Sequence, residues 1–261
     1  EQLKAGKMIQ AQQEIGYLNF VNWIIEKKKD MYDAEEYWKK YLSEYDTLSS
    51  IPTIEKNDDD YLFCKDKFQL SEEYSGRLKE IASKNNITMN QLFQAIWSIV
   101  LYYYSGQNDI VFGVVNSGRH IPVYGIDRMV GLLLNTIPLR VQLDNEMNVV
   151  EIAEQIKMDM LESLEYSYYP LYKLQKLCDM NPLFDHIMVY QNFPKEYQNE
   201  NVSFGDLVMK QYKLRDETTY HLNITVEEQS SLSVTFKYNG NKYDNSYIEN
   251  VWEKLNLAIE A

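Results

Sequence analysis

The stretch from Val111 to Val141, VFGVVNSGRHIPVYGIDRMVGLLLNTIPLRV, is the most informative part of this chain. Two apolar runs flank an irregular loop that contains the small-residue turn Ser117-Gly118-Arg119. The second run carries Asn135-Thr136 shortly before Pro138. Proline removes a donor from a strand ladder and asparagine disfavours a strand interior, so these residues indicate a defined local geometry. The stretch therefore predicts two strands joined by a shaped loop, and this loop is the candidate functional region.

The composition describes a globular, acidic protein. Of its 261 residues 45% are apolar and 13% are aromatic, which is enough for one large domain or two small ones with a substantial core. A formal net charge of −13 repels phosphate groups, so nucleic acid and anionic membranes are not expected as partners. The N-terminus is polar, and the most apolar window, residues 92–104, is too short to span a bilayer. We therefore expect a cytoplasmic protein.

Cysteine and acidic residues give no sign of a metal site. Cys64 and Cys178 lie far apart, without a second cysteine or a histidine at ligand spacing, and are predicted to be reduced thiols. The run Asp58-Asp59-Asp60 matches no known spacing of calcium ligands, so it is interpreted as a solvated charge run.

Hydrophobic periodicity predicts an α/β fold, a mixed sheet flanked by helices, with an N-terminal helical segment. A capping box is predicted at Asp33 and Glu36 and another at Thr88 and Gln91, and Ser71 is a predicted N-cap. The predicted helices cover residues 3–12, 17–29, 33–45, 71–85, 88–105 and 149–165, one that begins near 170, and 246–259. The predicted strands cover residues 61–70, 110–115, 130–141, 184–191, 207–214, 220–227 and 232–238, the last three as a meander.

The common catalytic signatures are absent from the sequence, including G-x-S-x-G, HExxH, the P-loop and G-x-G-x-x-G. Among the three histidines, His186 and His221 lie in strand-like runs and are predicted to be structural. His120 follows Arg119 in the loop, and both a structural and a functional role are open for it. A thiol nucleophile at Cys178 is not supported, because no base or orienting group is evident.

Several motifs, in order along the chain, resemble the condensation-domain family of nonribosomal peptide synthetases. The stretch 111–141 is similar to the family's Ser-Gly-Arg turn and its Gly-x-x-x-Asn-Thr-x-Pro-x-Arg segment. The other segments that carry the resemblance are YLNFVNW at 17–23, EYW at 36–38, YYPL at 168–171, CDMNPLFDHIMVYQNFP at 178–194 and the strands of 219–242. Two departures are Asn19, where the family prefers Asp, and His120, where the family often has Pro.

The resemblance implies a fold of two chloramphenicol-acetyltransferase-like lobes with a tunnel between them. Residues 51–261 would form the C-terminal lobe, and residues 1–50 a helical segment from the end of the N-terminal lobe and the inter-lobe linker. The family joins a donor acyl thioester to an acceptor amine, using the motif His-His-x-x-x-Asp-Gly, which this sequence does not contain. The resemblance therefore implies no catalytic residue in this chain, and we expect the chain alone to be inactive.

The resemblance also implies the partners. These are donor and acceptor peptidyl carrier proteins, the N-terminal lobe of the same domain and an adjacent adenylation domain. The carrier proteins bring 4'-phosphopantetheine arms, and no cofactor is expected to bind this chain directly. The product would belong to bacterial antibiotic or secondary-metabolite biosynthesis.

Four residues are predicted to line the tunnel on the strength of the resemblance. Ser117, Gly118 and Arg119 would line its acceptor side, with Gly118 allowing close approach of a pantetheine arm. Asn135 would point its amide at the tunnel near the reaction centre. The alternative is that Asn135 and Thr136 only satisfy local backbone groups and that Arg119 only pairs with a carboxylate across a lobe contact.

Two other functions are kept open. Some members of the superfamily have lost catalysis and recruit other proteins, and this chain would then be a recruitment platform. An epimerization-type domain is the second alternative, although the segment Asn135-Thr136-Ile137-Pro138 favours the condensation type. An intact, degraded or different catalytic motif upstream distinguishes the three.

Overall fold

The computed structural model describes residues 16–54, 60–144, 146–192, 201–204, 207–210, 218–228 and 231–261. The helices in these residues are α1 (Tyr17–Lys27), α2 (Tyr32–Tyr41), α3 (Glu72–Lys84), α4 (Met89–Ser105), α5 (Val149–Glu165), α6 (Leu171–Leu177) and α7 (Asn245–Glu260). The strands are β1 (Phe63–Gln69), β2 (Asp109–Asn116), β3 (Asn135–Gln142), β4 (His186–Gln191), β5 (Asn201–Phe204), β6 (Leu207–Lys210), β7 (Leu222–Glu228) and β8 (Leu232–Asn239).

Six of the strands form one mixed sheet in the order β1-β8-β7-β4-β2-β3. β4 runs parallel to β7 and to β2, and the outer pairs β1/β8, β8/β7 and β2/β3 are antiparallel. Parallel neighbours need a long crossover, and α5 and α6 lie in the chain between β3 and β4. The predicted α/β fold with a mixed sheet and flanking helices is confirmed.

Helix α4 is the central helix of the core, and its ends follow the sequence signals. Thr88 and Gln91 form the predicted capping box, and Gly106 ends the helix in the left-handed conformation with φ of 68°. Ser71 caps α3 as predicted, accepting a hydrogen bond from the amide of Tyr74. A further capping box, made by Asn148 and Glu151, begins α5.

Helix α2 packs into the same core as the sheet. Ala34 and Trp38 are fully buried there, and the Trp38 indole donates to the carbonyl of Tyr166 across 3.1 Å. Tyr37 shares a hydrogen bond of 2.8 Å with the hydroxyl of Ser163 on α5. The second helix of the 1–50 segment is therefore part of the main core, while the division of the chain at residue 50 stays a prediction.

A partly buried ion pair attaches α2 to the edge of the sheet. Arg140 on β3 is 8% exposed and makes a bidentate contact with Asp109 on β2, at 2.8 Å and 2.6 Å. The same guanidinium donates to the carbonyl of Tyr41 at 2.7 Å, and the Tyr41 hydroxyl accepts from the Arg140 amide at 2.9 Å. Arg140 is the arginine of the Asn-Thr-x-Pro-x-Arg segment, so this part of the motif has a structural role here.

Two predictions for α2 were wrong in detail. No side chain caps α2, whose N-cap position is Met31, so the capping box at Asp33 and Glu36 does not form. Asp33 lies inside the first turn, where its charge favours the helix dipole. The helix ends at Tyr41 rather than at residue 45, and Glu44 has a positive φ of 65°.

Three strand predictions also need correction. β3 begins at Asn135 rather than at residue 130, because its ladder with β2 ends where Asn135 faces Asn116. β4 begins at His186 rather than at residue 184. The predicted first strand of the meander, at 207–214, contains β6, which pairs with β5 in a separate two-stranded sheet. The predicted helix over 3–12, residues 58–59 of the charge run and residues 211–214 lie outside the described residues.

Stability should depend on pH through Asp159 on α5. Burial, with a smaller contribution from Glu162, raises the pKa of Asp159 to about 6. At Asp159 the folded state therefore binds a proton more readily than the unfolded state. The contribution of Asp159 to stability falls as the pH rises from about 4 to about 6. Asp159→Asn should raise the free energy of unfolding by about 1 kcal/mol at pH 8, after allowance for solvent around a half-exposed carboxyl.

Urea unfolding at pH 8 and at pH 4 measures this effect. The gain of the variant should vanish at pH 4, where the wild-type carboxyl is protonated. Glu154→Gln, which removes an exposed carboxylate from the same helix, is the control and should leave stability within about 0.5 kcal/mol at both pH values. An equal gain for Asp159→Asn at both pH values would contradict the electrostatic cause.

Candidate functional site

The candidate site is the loop of residues 117–134, which leaves β2 and returns to β3 at the same end of the sheet. The last register pair of the two strands is Asn116 with Asn135. The Asn116 side-chain oxygen accepts from the amide of Gly118 at 2.8 Å, and the Ser117 hydroxyl accepts from the amide of Arg119 at 3.3 Å. These short polar contacts turn the chain sharply as soon as the ladder ends.

Gly118 permits a close approach inside the loop. Its φ is 66°, and a Cβ built there would lie 1.9 Å from the carbonyl oxygen of Leu133. A side chain at this position is excluded by both the backbone conformation and the contact. In this structure the space next to Gly118 is taken by Leu133, and the approach of a pantetheine arm stays a prediction.

Arg119 holds the loop together from within. Its guanidinium donates to the carbonyl of Ile126 and, at 3.2 Å, to the carbonyl of Met129. Its acceptors here are carbonyl oxygens, whereas the alternative interpretation named a carboxylate across a lobe contact. The role of Arg119 in lining a tunnel stays a prediction.

The loop has a small hydrophobic core of its own. Its buried members are Ile121, Ile126, Met129 and Leu133, with Tyr17, Phe20, Trp23 and Val123 packed against them. The three aromatic residues of this group belong to α1. The Tyr17 hydroxyl also donates to the carbonyl of Leu132 at 2.7 Å. Helix α1 and the loop therefore form one packed unit. The YLNFVNW segment predicted the helix, but its contact with this loop had no signal in the sequence.

Asn135 uses its side chain within the protein. Its amide nitrogen donates to the carbonyl of Ser167, and its oxygen accepts from the amide of Thr136 at 2.9 Å. The contact with Thr136 is of the local kind that the alternative interpretation named, whereas Ser167 lies 32 residues away in the sequence. The residue is nevertheless exposed, so its placement beside a reacting group stays a prediction.

His120 reaches the same residue as Asn135. Its Nε2 lies 2.9 Å from the carbonyl oxygen of Leu164 and 3.1 Å from the hydroxyl of Ser167. Ser167 follows α5 and is 6% exposed. Sequence analysis did not identify Ser167, and only its position next to the YYPL segment could have drawn attention to it.

A small cavity lies beneath the loop and has a volume of about 30 Å³, enough for a water molecule. The side-chain nitrogen of Asn116 is buried at this point without a hydrogen-bond partner. The cavity is lined by Phe20, Trp23, Ile24, Asn116, Gly118, His120, Ile121, Leu133, Asn135, Ser167 and Tyr168. The structure thus brings Gly118 and Asn135 to one place, while Ser117 and Arg119 lie on the exposed side of the turn.

The outer side of the loop exposes apolar side chains. Val130 is 91% exposed, Leu132 74% and Leu134 62%. Tyr124 from the same loop and Leu18 from α1 are also exposed. We call the three residues Val130, Leu132 and Leu134 the apolar strip. Exposed apolar patches of this kind mark surfaces that another molecule or domain covers.

The side chain of His186 is buried and hydrogen bonded. His186 is 1% exposed, accepts from the Trp97 indole at 3.0 Å and contacts the Asp185 carboxylate at 2.7 Å. The donor from Trp97 means that Nε2 of His186 is unprotonated and that Nδ1 carries the hydrogen. His186 is therefore structural, as predicted. Within the described part of the chain, His, Cys, Asp and Glu side chains form no group able to hold a metal ion.

Comparison with known proteins identifies the family. The family model for the condensation domain matches residues 1–261. The chain belongs to the condensation-domain family. Bacitracin synthase 3 of Bacillus licheniformis is 33% identical over 266 residues, which cover 100% of this chain and 4% of the synthase. Gramicidin S synthase 2 of Brevibacillus brevis is 32% identical over 255 residues, which cover 95% of this chain and 6% of the synthase.

Solved structures of condensation domains share the fold. The first condensation domain of the calcium-dependent antibiotic synthetase, in complex with a substrate analogue, has a TM-score of 0.78 and 17% identity. The match covers 99% of this chain and 57% of that one. The X-domain from teicoplanin biosynthesis has a TM-score of 0.80 and 14% identity, over 99% of this chain and 62% of that one. The expected chloramphenicol-acetyltransferase-like fold is therefore confirmed.

No helix among the described residues is long and apolar enough to cross a membrane.

Proposed function

We propose that this chain is the C-terminal lobe of a condensation domain that forms peptide bonds in a nonribosomal peptide synthetase. The observation that carries the proposal is the apolar strip beside the candidate site, which is suited to being covered by a second lobe. The coverage of the solved condensation domain, 57%, supports it, because a lobe is about half of a two-lobed domain. In this proposal residues 51–261 are the lobe and residues 1–50 lead into it.

The chemistry needs two halves. The amine of the acceptor attacks the donor thioester carbonyl, a C–N bond forms, the C–S bond breaks, and the leaving thiolate takes up a proton. The sequence has no His-His-x-x-x-Asp-Gly motif to orient or deprotonate the amine. The N-terminal lobe would supply that histidine, and this chain would supply a wall that holds the reactants close together.

The wall residues of the proposal are Ser117, Gly118, Arg119 and Asn135. Gly118 and Asn135 border the small cavity, and Ser117 and Arg119 form the turn above it. The donor and acceptor carrier proteins would present their phosphopantetheine arms from opposite ends of the tunnel as substrates. An adjacent adenylation domain would load the acceptor carrier, and the site of action would be the cytoplasm.

Reconstitution with two loaded carrier proteins tests the proposal. The chain alone should form no peptide above background, and adding an N-terminal lobe that carries the His-His motif should restore product.

Leu132→Ser should weaken assembly of the two lobes at least tenfold, because it places a hydroxyl on the apolar strip. Leu257→Ser alters a similarly exposed leucine on α7, and we expect no change in assembly. Product from the chain alone would contradict the proposal.

A recruitment platform is the second candidate, and the fold match to the X-domain favours it. One solved structure of that domain is described as a complex of the X-domain and OxyB from teicoplanin biosynthesis. A fully assembled domain that binds a partner enzyme but never transfers a peptide would support this candidate. The epimerization alternative predicts inverted acceptor stereochemistry in the same assay, and the Asn135-Thr136-Ile137-Pro138 segment argues against it.

A further inference from the structure

Residues at both ends of the 117–134 loop form hydrogen bonds with Ser167. Asn135, where the loop returns to the sheet, donates to the carbonyl of Ser167. His120, just after the turn where the loop begins, contacts the Ser167 hydroxyl and the neighbouring Leu164 carbonyl. Ser167 is buried behind the C-terminal end of α5, so it provides a fixed point on the body of the protein.

The contact of His120 has a defined polarity. A carbonyl oxygen only accepts, so Nε2 of His120 carries the hydrogen and donates it to Leu164. Leu164 is in the last turn of α5, and its carbonyl oxygen also accepts from the amide of Ser167 at 3.3 Å, beyond the end of the helix. A donor from outside is favourable there because it also meets the negative end of the helix dipole. Glutamine, whose side-chain nitrogen always carries hydrogen, is the substitution that best preserves this contact.

The loop behaves as a unit that needs such an attachment. Arg119 binds carbonyl oxygens within the loop, and the small core of Ile121, Ile126, Met129 and Leu133 is separate from the main core. Internal order alone does not set where this unit lies relative to the sheet. The contacts of His120 and Asn135 with Ser167 attach it to the body of the protein, together with an edge contact between the rings of Trp23 and Tyr168.

We propose that His120 is a positioning residue: its contacts with Leu164 and Ser167, which we call the clip, attach the 117–134 loop to the C-terminal end of α5 and thereby hold Gly118 along the acceptor side of the tunnel. The catalytic consequence rests on the proposed function. The clip itself does not. His120 touches no reacting atom in this proposal and acts through the placement of the loop.

Amide hydrogen exchange of the chain tests the clip without any reaction. His120→Ala should speed exchange within residues 117–134 about fivefold to tenfold, as expected from the loss of one or two hydrogen bonds, and leave α4 unchanged. His120→Gln should restore at least half of the protection. His221→Ala, which removes an exposed histidine outside the site, is the matched control and should have no effect.

Kinetics of the complete two-lobed domain test the positioning role. His120→Ala should raise the KM for the loaded acceptor carrier about fivefold and change kcat less than twofold, and His120→Gln should return the KM toward the wild-type value. Unchanged amide hydrogen exchange of residues 117–134 in His120→Ala would show that His120 does not attach the loop. Faster exchange with an unchanged KM overturns the positioning role. If the wild-type domain makes no peptide at all, the proposed function fails, and the exchange experiment still decides whether the clip exists.

Discussion

Replacing Arg140 by methionine should lower the free energy of unfolding by about 3 kcal/mol, the low end of the range for breaking a buried ion pair. The guanidinium is 8% exposed, and its removal leaves the Asp109 carboxylate without its bidentate partner. The side chain of Asp109 is 30% exposed, so water offsets part of this loss. The carbonyl of Tyr41 also loses a donor, which weakens the attachment of α2.

Urea unfolding followed by tryptophan fluorescence measures this loss, because Trp38 on α2 and Trp97 on α4 report on the same core. Arg140→Lys keeps the charge but not the bidentate geometry, and it should lose about half as much stability. Arg128→Met removes an exposed arginine and serves as the control, with a change within about 0.5 kcal/mol. A loss below 1 kcal/mol for Arg140→Met would show that the pair is not needed to hold α2.

Local sequence signals predicted the elements whose ends are decided locally. Thr88 with Gln91 and the glycine at 106 bound α4 correctly, because a cap is made by residues three or four positions away. The same reasoning failed at Asp33 and Glu36, where the packing of Ala34 and Trp38 sets the position of α2. Burial in the core prevailed there over a weak capping preference.

Strand β3 shows a different limit. The apolar run from residue 130 predicted a strand, yet pairing begins only at Asn135, where β2 can still supply a partner. Leu132 and Leu134 before it are exposed, whereas Leu133 is buried, and a hydrophobicity pattern cannot distinguish a buried strand from an exposed apolar strip. Residues 130–134, predicted as part of a strand, instead belong to the loop and carry the exposed apolar strip.

The candidate site was located by sequence, but its contacts were not. The Ser-Gly-Arg turn and Asn135 marked the right loop, and the strand register brings its two ends together. The convergence on Ser167 joins residues 47 and 32 positions apart, so no periodicity within one element reports it. Such contacts arise from the packing of α5 against the sheet, which is a tertiary effect.

Gly118→Ala should destabilise the protein strongly although it adds only one methyl group to the loop. The left-handed conformation costs about 1–2 kcal/mol for a residue with a Cβ. The new Cβ would also lie 1.9 Å from the Leu133 carbonyl oxygen, a backbone atom that moves only if the loop does. Overpacking adds about 1–3 kcal/mol, so we expect a total loss of about 3 kcal/mol.

Gly106→Ala separates the two causes. Gly106 has nearly the same φ, 68°, but a Cβ there meets nothing within 4 Å, so only the conformational cost of about 1 kcal/mol applies. The difference between the two variants therefore measures the contact between Gly118 and Leu133. Equal losses in urea unfolding would show that the loop relaxes around the methyl group.

Because the loop has its own small core, Gly118→Ala has a second way to relieve the clash: the loop opens while the sheet stays folded. In that case global unfolding changes little, and amide exchange over residues 117–134 rises at least tenfold instead. Gly106→Ala should leave exchange in the loop unchanged, since its position is at the end of α4. Measured together, unfolding and exchange decide whether this turn is held by the loop alone or by the whole fold.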